Sequence, residues 1–225
     1  SGHLSGLSPV FVLDDVHLPG TDPDHPGLTL ERIELTVDVL PSLLGRTLRA
    51  RSLLIRGLDV RVLVDEHGKV RLYGIDAFGS AADTGVPAHE KLLQVLYRQK
   101  RIQIEKVHGI LEMAGAPPLE IAELNLAMVS SGQRHRLAMT ARSAAQEVLL
   151  DLRLDMRGDA YRREQIYCRG YLDVALRDAE PWLLHRWPLP MRPEQLSGGV
   201  QGWLTIKGGE LEQSALRVRL DGLTL

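Results

Sequence analysis

The sequence contains a single cysteine, Cys168, so a disulfide framework within the chain is excluded. Within a strand-like stretch, Cys168 is interpreted as a small packed apolar residue. The sequence also contains no run of about eighteen apolar residues, and its first residues lack the charged and apolar regions of a secretory signal. The chain starts without methionine and inside an established pattern. We therefore expect a piece of a longer polypeptide whose membrane anchor lies outside it.

An excess of basic charge is absent as well. The formal net charge is −2, and the lysines and arginines are scattered along the sequence, so nothing predicts bulk attraction to nucleic acid. The hydrophobic fraction of 44% and the charged fraction of 25% are typical of a folded globular chain and argue against disorder. At 225 residues, the chain fits one large β domain.

Sequence signatures of catalysis, metal binding and cofactor binding are missing. His89 and Glu90 begin like a zinc-protease helix, but Leu93 stands where the second histidine ligand is needed. There is no nucleophile elbow and no phosphate-binding loop. The glycines at 198, 199 and 202 lack the strand-then-helix context of a dinucleotide site and are interpreted as turn and strand-edge residues. We expect neither an enzyme nor a metal or cofactor.

The dominant signal is a two-residue alternation of apolar and polar side chains, which predicts half-buried strands. The segment 58–72 has this pattern on both sides of a turn at 66–68, which predicts a hairpin. Further strands are predicted at 11–18, 32–39, 48–55, 102–113, 120–129, 136–141, 148–156, 171–177, 200–206 and 215–220.

Three segments break the alternation. Residues 87–100 place leucines at helical spacing behind Pro87, which predicts the one long helix. A shorter helix is predicted near 179–186, after Asp178 as N-cap, and a helical turn at 41–46. The stretch 78–87 is predicted to be a flexible loop and marks the point where a single domain over 1–225 could be subdivided.

Alternating strands joined by short links predict a mainly antiparallel sheet with one apolar face. That face could be covered by a second sheet, by closure into a barrel, by helices or by a ligand, and the pattern alone leaves these four open. The fold class expected is therefore mainly β: a curved, largely antiparallel sheet with one longer helix and one or two short ones.

The order of several segments resembles the YhdP family of the AsmA-like superfamily, in the region that follows its membrane anchor. The opening LSGLSPVFVLDDVHL and the block LERIELTVDVLPSLLGRTLRARSLLIRGLDVRV resemble the first two parts of that region. RIQIEKVHGILEM, SGQRHRLAM and LLDLRLDMRGD follow in the same order. The most specific similarity is LDVALRDAEPWLLHRWPLP followed by VQGWLTIKGGELEQSALRV.

This resemblance implies a periplasmic protein anchored to the inner membrane, whose β-groove shields phospholipid acyl chains on their way to the outer membrane. The implied partners are those acyl chains, the rest of the same polypeptide and the inner membrane, and nucleic acid is not among them. The alternative is a structural or interaction module with a closed β-sandwich core and no lipid. The groove-lining residues expected from the alternation are Ile33, Leu35, Val37, Val39, Val60, Val62, Val64, Leu150, Leu152, Leu154, Leu172, Val174, Leu176, Leu204 and Ile206.

Overall fold

The computed structural model describes residues 2–5, 8–18, 28–39, 50–64, 70–73, 99–113, 118–145, 147–158, 165–176 and 195–224. The strands of these ranges all belong to one sheet. They are β1 (Gly2–Ser5), β2 (Ser8–Leu18), β3 (Leu28–Val37), β4 (Ala50–Val64), β5 (Val70–Tyr73), β6 (Arg101–Met113), β7 (Leu119–Ser131), β8 (Arg134–Arg142), β9 (Val148–Arg157), β10 (Tyr167–Leu176), β11 (Gln195–Lys207) and β12 (Glu210–Thr224).

The strands follow one another in space almost in chain order, β1-β2-β3-β4-β6-β7-β8-β9-β10-β11-β12, and β5 pairs with β4 beside this path. Neighbours are antiparallel except β4 and β6, which run parallel. The sheet is open and curved, as predicted. The described strands therefore provide no second sheet, and the closed sandwich of the alternative interpretation is not formed by them.

Most predicted strands are confirmed, with longer bounds. The hairpin is confirmed by the antiparallel pairing of Val62 with Leu72. Two predictions were wrong: the separate strands at 48–55 and 58–64 are one continuous β4, and Gly202 and its neighbouring glycines lie inside β11, between two partner strands. The helical turn at 41–46, the loop at 78–87, the short helix near 179–186 and residues 88–98 of the long helix lie outside the described residues. Gln99 and Lys100, which the long helix was predicted to include, are not helical.

A row of backbone kinks crosses the first half of the sheet. Positive φ angles of 50°, 65° and 54° occur at Asp15 on β2, Gly57 on β4 and Lys106 on β6. On either side of these three residues, the strands pair in register with the strands next to them. At the same level β7 shifts register, and the Asn125 side chain accepts a 2.9 Å hydrogen bond from the Lys106 backbone N–H. Between β2, β3, β4 and β6 the register is the same on both sides of the kink. Because adjacent strands share the irregularity, their pairing continues beyond it.

The spacing of apolar residues in the sequence changes at this kink. On β3 the apolar positions are Leu28 and Leu30, then Ile33 and Leu35, a step of three across the kink. On β4 the same step separates Ile55 from Leu58. A step of three would move the side chains to the other face of a regular strand. At the kink it keeps them on one face, so the sequence pattern and the backbone irregularity agree.

Candidate functional site

Pairing places the apolar residues of ten strands in three consecutive cross-strand rows, which we call the apolar band. The first row is Phe11, Leu35, Leu53, Ile102, Met128, Leu137, Leu154, Gly170, Leu204 and Ser214. The second is Leu13, Ile33, Ile55, Ile104, Leu126, Met139, Leu152, Leu172, Gly202 and Leu216. The third is Val16, Leu30, Leu58, Val107, Leu124, Ala141, Leu150, Val174, Val200 and Val218.

The band is long and narrow. With strands about 4.8 Å apart, ten strands span about 43 Å, and three rows of alternate residues cover about 14 Å along each strand. Apart from two glycines and one serine, every position in it is apolar. An extended hydrocarbon chain lying across the strands would meet apolar side chains over this whole length.

Exposure changes along the band. Ile102 and Met128, near its middle, are only 1% and 4% exposed. On β9, β10 and β11 most of the band's side chains are half-buried. On β12 they are open, with Leu216 at 69% and Val218 at 53% exposure. Large apolar side chains are rarely left open in a contiguous group unless they meet a partner or a ligand.

Eight of the fifteen residues predicted to line a groove lie in the three rows of the band. They are Ile33, Leu35, Leu150, Leu152, Leu154, Leu172, Val174 and Leu204. Six others are in strands but outside these rows, namely Val37, Val60, Val62, Val64, Leu176 and Ile206. The remaining one, Val39, is not in a strand, because β3 ends at Val37.

Sequence reasoning missed more than half of the band. The residues not predicted as part of it include Phe11 and Leu13 on β2, the isoleucines of β6, the methionines of β7 and β8, and the apolar residues of β12. The strands that carry them were mostly predicted, so the alternation was available as a signal. Only the pairing order shows that their apolar faces join into one surface.

Two glycines interrupt the band on β10 and β11 without breaking it. A Cβ on Gly170 would come within 3.0 Å of both Leu154 and Leu204, so these leucines already close over that position. A Cβ on Gly202 would meet nothing nearer than 3.8 Å, between Leu172 and Leu216. Gly202 therefore leaves a notch in the second row, next to the open edge of the band.

Beside the first row of the band lies another cross-strand row, which contains His135 and Cys168. His135 is 8% exposed, and its Nδ1 lies 2.8 Å from the Ser130 hydroxyl. Burial lowers the pKa of His135, because the cationic form loses water there. Burial likewise raises the pKa of Cys168 in the same row, which disfavours its thiolate. Neither side chain brings a charge to the border of the band at neutral pH.

The opposite face of the sheet carries the charges. Arg56 donates to Glu105 at 2.7 Å between β4 and β6, and Arg153 donates to Asp151 at 2.8 Å within β9. The first pair is partly exposed and the second is exposed, so each contributes little to stability. The Arg134 guanidinium lowers the pKa of Asp155 through a hydrogen bond across β8 and β9. We call this surface the polar face.

The described residues contain no group of three or more His, Cys, Asp or Glu side chains arranged to hold a metal ion. No helix among them is long and apolar enough to cross a membrane. The most extensive feature of the described part is thus a surface, the apolar band.

Comparison with known proteins identifies a family but no individual similar protein or structure. No curated protein matches the sequence, and no solved structure matches it. The family described as "YhdP protein" matches residues 1–225. That match covers the strands that form the apolar band from end to end. The chain therefore belongs to the YhdP family, within the broader AsmA-like superfamily.

Proposed function

We propose that this chain is a segment of a bridge-like lipid transfer protein, in which the apolar band shields phospholipid acyl chains from water. The observation that carries the proposal is the continuity of the band across ten strands of one open sheet. A sheet that only needed a core would not need its apolar residues aligned from Phe11 to Leu216 or left open on β12.

The energetics favour a long continuous surface. An acyl chain of sixteen carbons in water costs about 12 kcal/mol at roughly 0.8 kcal/mol per methylene. A carrier must compensate that cost at every position along the chain's path. A single charged side chain in the path would expose several methylenes to a solvated group. The apolar band offers no such interruption between β2 and β12.

The cellular setting belongs to the proposal. A segment of this family that moves phospholipid would work in the periplasm, held to the inner membrane by another part of the polypeptide, and would pass lipid toward the outer membrane. Its partners would be acyl chains, the rest of its own chain and that membrane. The role requires no bond-making step, so we assign the chain no catalytic residue and no cofactor.

Crosslinking tests the proposal. A photoreactive amino acid at Leu204, in the band, should form adducts with phospholipid in cells, whereas the same residue at Gln103, on the polar face of β6, should not. Mass spectrometry of an organic extract of the purified chain should find phospholipid. Equal adducts at both positions, or none at Leu204 with no extractable lipid, would refute the proposal.

The edge of the sheet supports a second candidate, an interaction module without lipid cargo. Among the described strands, β12 pairs only with β11, and its residues Glu210–Thr224 offer an unpaired backbone edge. In that case β12 would pair with another strand, and its apolar side chains would be covered by protein. Crosslinks from Leu216 to protein, with an extract free of lipid, would favour this candidate.

A further inference from the structure

The polar face carries a compact basic patch at one end of strands β8 to β11. Three cross-strand rows on these four strands make twelve positions. Six of the twelve are cationic and one, Asp155, is anionic. The cations are Arg134, Arg136, Arg153, Arg157, Arg169 and Lys207. The whole chain has a net charge of −2, so this concentration is local to the patch.

Part of this positive charge is compensated. Arg153 donates to Asp151 at 2.8 Å, and the Lys207 ammonium lies 4.0 Å from the Glu212 carboxylate. Asp155 is taken by Arg134, whose Nε donates to Oδ1 at 2.9 Å, and Arg136 reaches the same carboxylate only at 3.9 Å. Arg169 donates to the Tyr167 hydroxyl at 2.7 Å and has no carboxylate partner among the described residues. Arg157 makes no salt bridge to a described residue. The patch therefore keeps a net positive charge, and the guanidinium groups of Arg157 and Arg169 have no carboxylate partner in the part of the chain that the structure describes.

Aromatic side chains lie among these cations. Tyr167, Tyr171 and Trp203 occupy three of the twelve positions, and the Tyr171 and Trp203 ring centroids are 5.6 Å apart. Trp203 is 41% exposed. Basic residues mixed with tryptophan and tyrosine are typical of surfaces that meet the headgroup region of a bilayer.

We propose that the basic patch docks on the surface of a membrane that contains anionic phospholipid. The arginines would bind lipid phosphates, and Trp203 and Tyr171 would enter the headgroup layer. Nucleic acid is the less suitable polyanion, because arginines already lie over two of the three rings on which bases could stack. The Arg169 guanidinium lies 5.6 Å from the Tyr167 centroid, and the Arg217 guanidinium lies 5.9 Å from the Trp203 centroid.

Vesicle sedimentation tests the proposal. The chain should bind vesicles of phosphatidylglycerol and phosphatidylcholine but not phosphatidylcholine alone, and salt should weaken binding because exposed charges are screened. Each basic residue contributes about fivefold near an anionic surface, so Arg136→Glu with Arg169→Glu should weaken binding by at least about 25-fold. The matched control is Arg61→Glu with Arg219→Glu, which changes the net charge equally outside the patch.

Trp203 offers a second readout. With Trp182 and Trp187 replaced by phenylalanine, emission from Trp203 should shift to the blue on adding anionic vesicles. The band variant Leu216→Asp should retain vesicle binding, which separates this proposal from acyl-chain shielding. Equal losses in the patch and control variants would overturn the proposal. So would binding of a single-stranded oligonucleotide that the patch variant abolishes while vesicle binding persists.

Discussion

Leu216→Asp is the substitution that best separates shielding of lipid from packing of a core. Burying a whole leucine contributes about 1.5–3 kcal/mol. Leu216 keeps 69% of its surface exposed and so buries about a third of it, and its loss should cost below about 1 kcal/mol of folding free energy. The new carboxylate remains in water on the edge strand. Urea unfolding should therefore show a folded variant close to the wild type in stability.

Binding of lipid should respond differently. An acyl chain that follows the second row must either dehydrate the new carboxylate or leave the band, at a cost of about 1–3 kcal/mol, or roughly 5- to 150-fold in affinity. Titration of a fluorescent fatty-acyl phospholipid measures this loss. Ala215→Asp is the matched control, because it adds the same charge on the neighbouring residue, which lies on the polar face. If a folded Leu216→Asp binds the probe as the wild type does, the reasoning fails.

Three further predictions concern the fold. Ile102→Ala should cost about 2–5 kcal/mol in chemical unfolding, because Ile102 is 1% exposed at the middle of the band; an unchanged midpoint would contradict its place in the core. Gly57→Ala should cost at least about 1–2 kcal/mol, because its φ is 65° and because the new Cβ would overlap the Glu31 side chain, whereas Gly109→Ala, with no contact under 3.7 Å, should be far milder by the same assay. The lowered pKa of His135 means that the unfolded chain binds the proton more readily, so stability should fall as pH drops below about 6.5. His135→Gln should flatten that part of the pH profile, and an identical slope in both proteins would refute the assignment.

The strands were predictable because each of them needs only its own residues. Alternation on β9, for example, assigns Leu150, Leu152 and Leu154 to one face without any knowledge of a neighbour. The hairpin of β4 and β5 was predictable because the residues of its predicted turn, 66–68, lie between the two strands in the sequence. The prediction separated 48–55 from 58–64, and between them the apolar residues step by three, from Ile55 to Leu58. Local alternation alone does not distinguish such a kink in a continuous strand from a turn between two strands.

The extent of the band could not be predicted, because it depends on which strands become neighbours. Nothing in the sequence of β6 says that it lies parallel to β4, which puts Ile102 beside Leu53 and Ile104 beside Ile55. The basic patch could not be predicted for the same reason. Its cations are spread over residues 134 to 207 and look scattered along the chain, and the antiparallel register of four strands gathers them.

The two surfaces that we assign to different parts of a lipid are built from the same strands. On β9, Leu152 and Leu154 face the band while Arg153 and Asp155 face the patch, and on β11 Leu204 and Trp203 divide in the same way. A one-residue slip of either strand would exchange the two sets, placing arginine in the band and leucine among the headgroups. The register is therefore fixed from both sides, since neither surface tolerates the residues of the other. It follows that the alternation of these strands carries two functional requirements at once, whereas a buried core would supply only one.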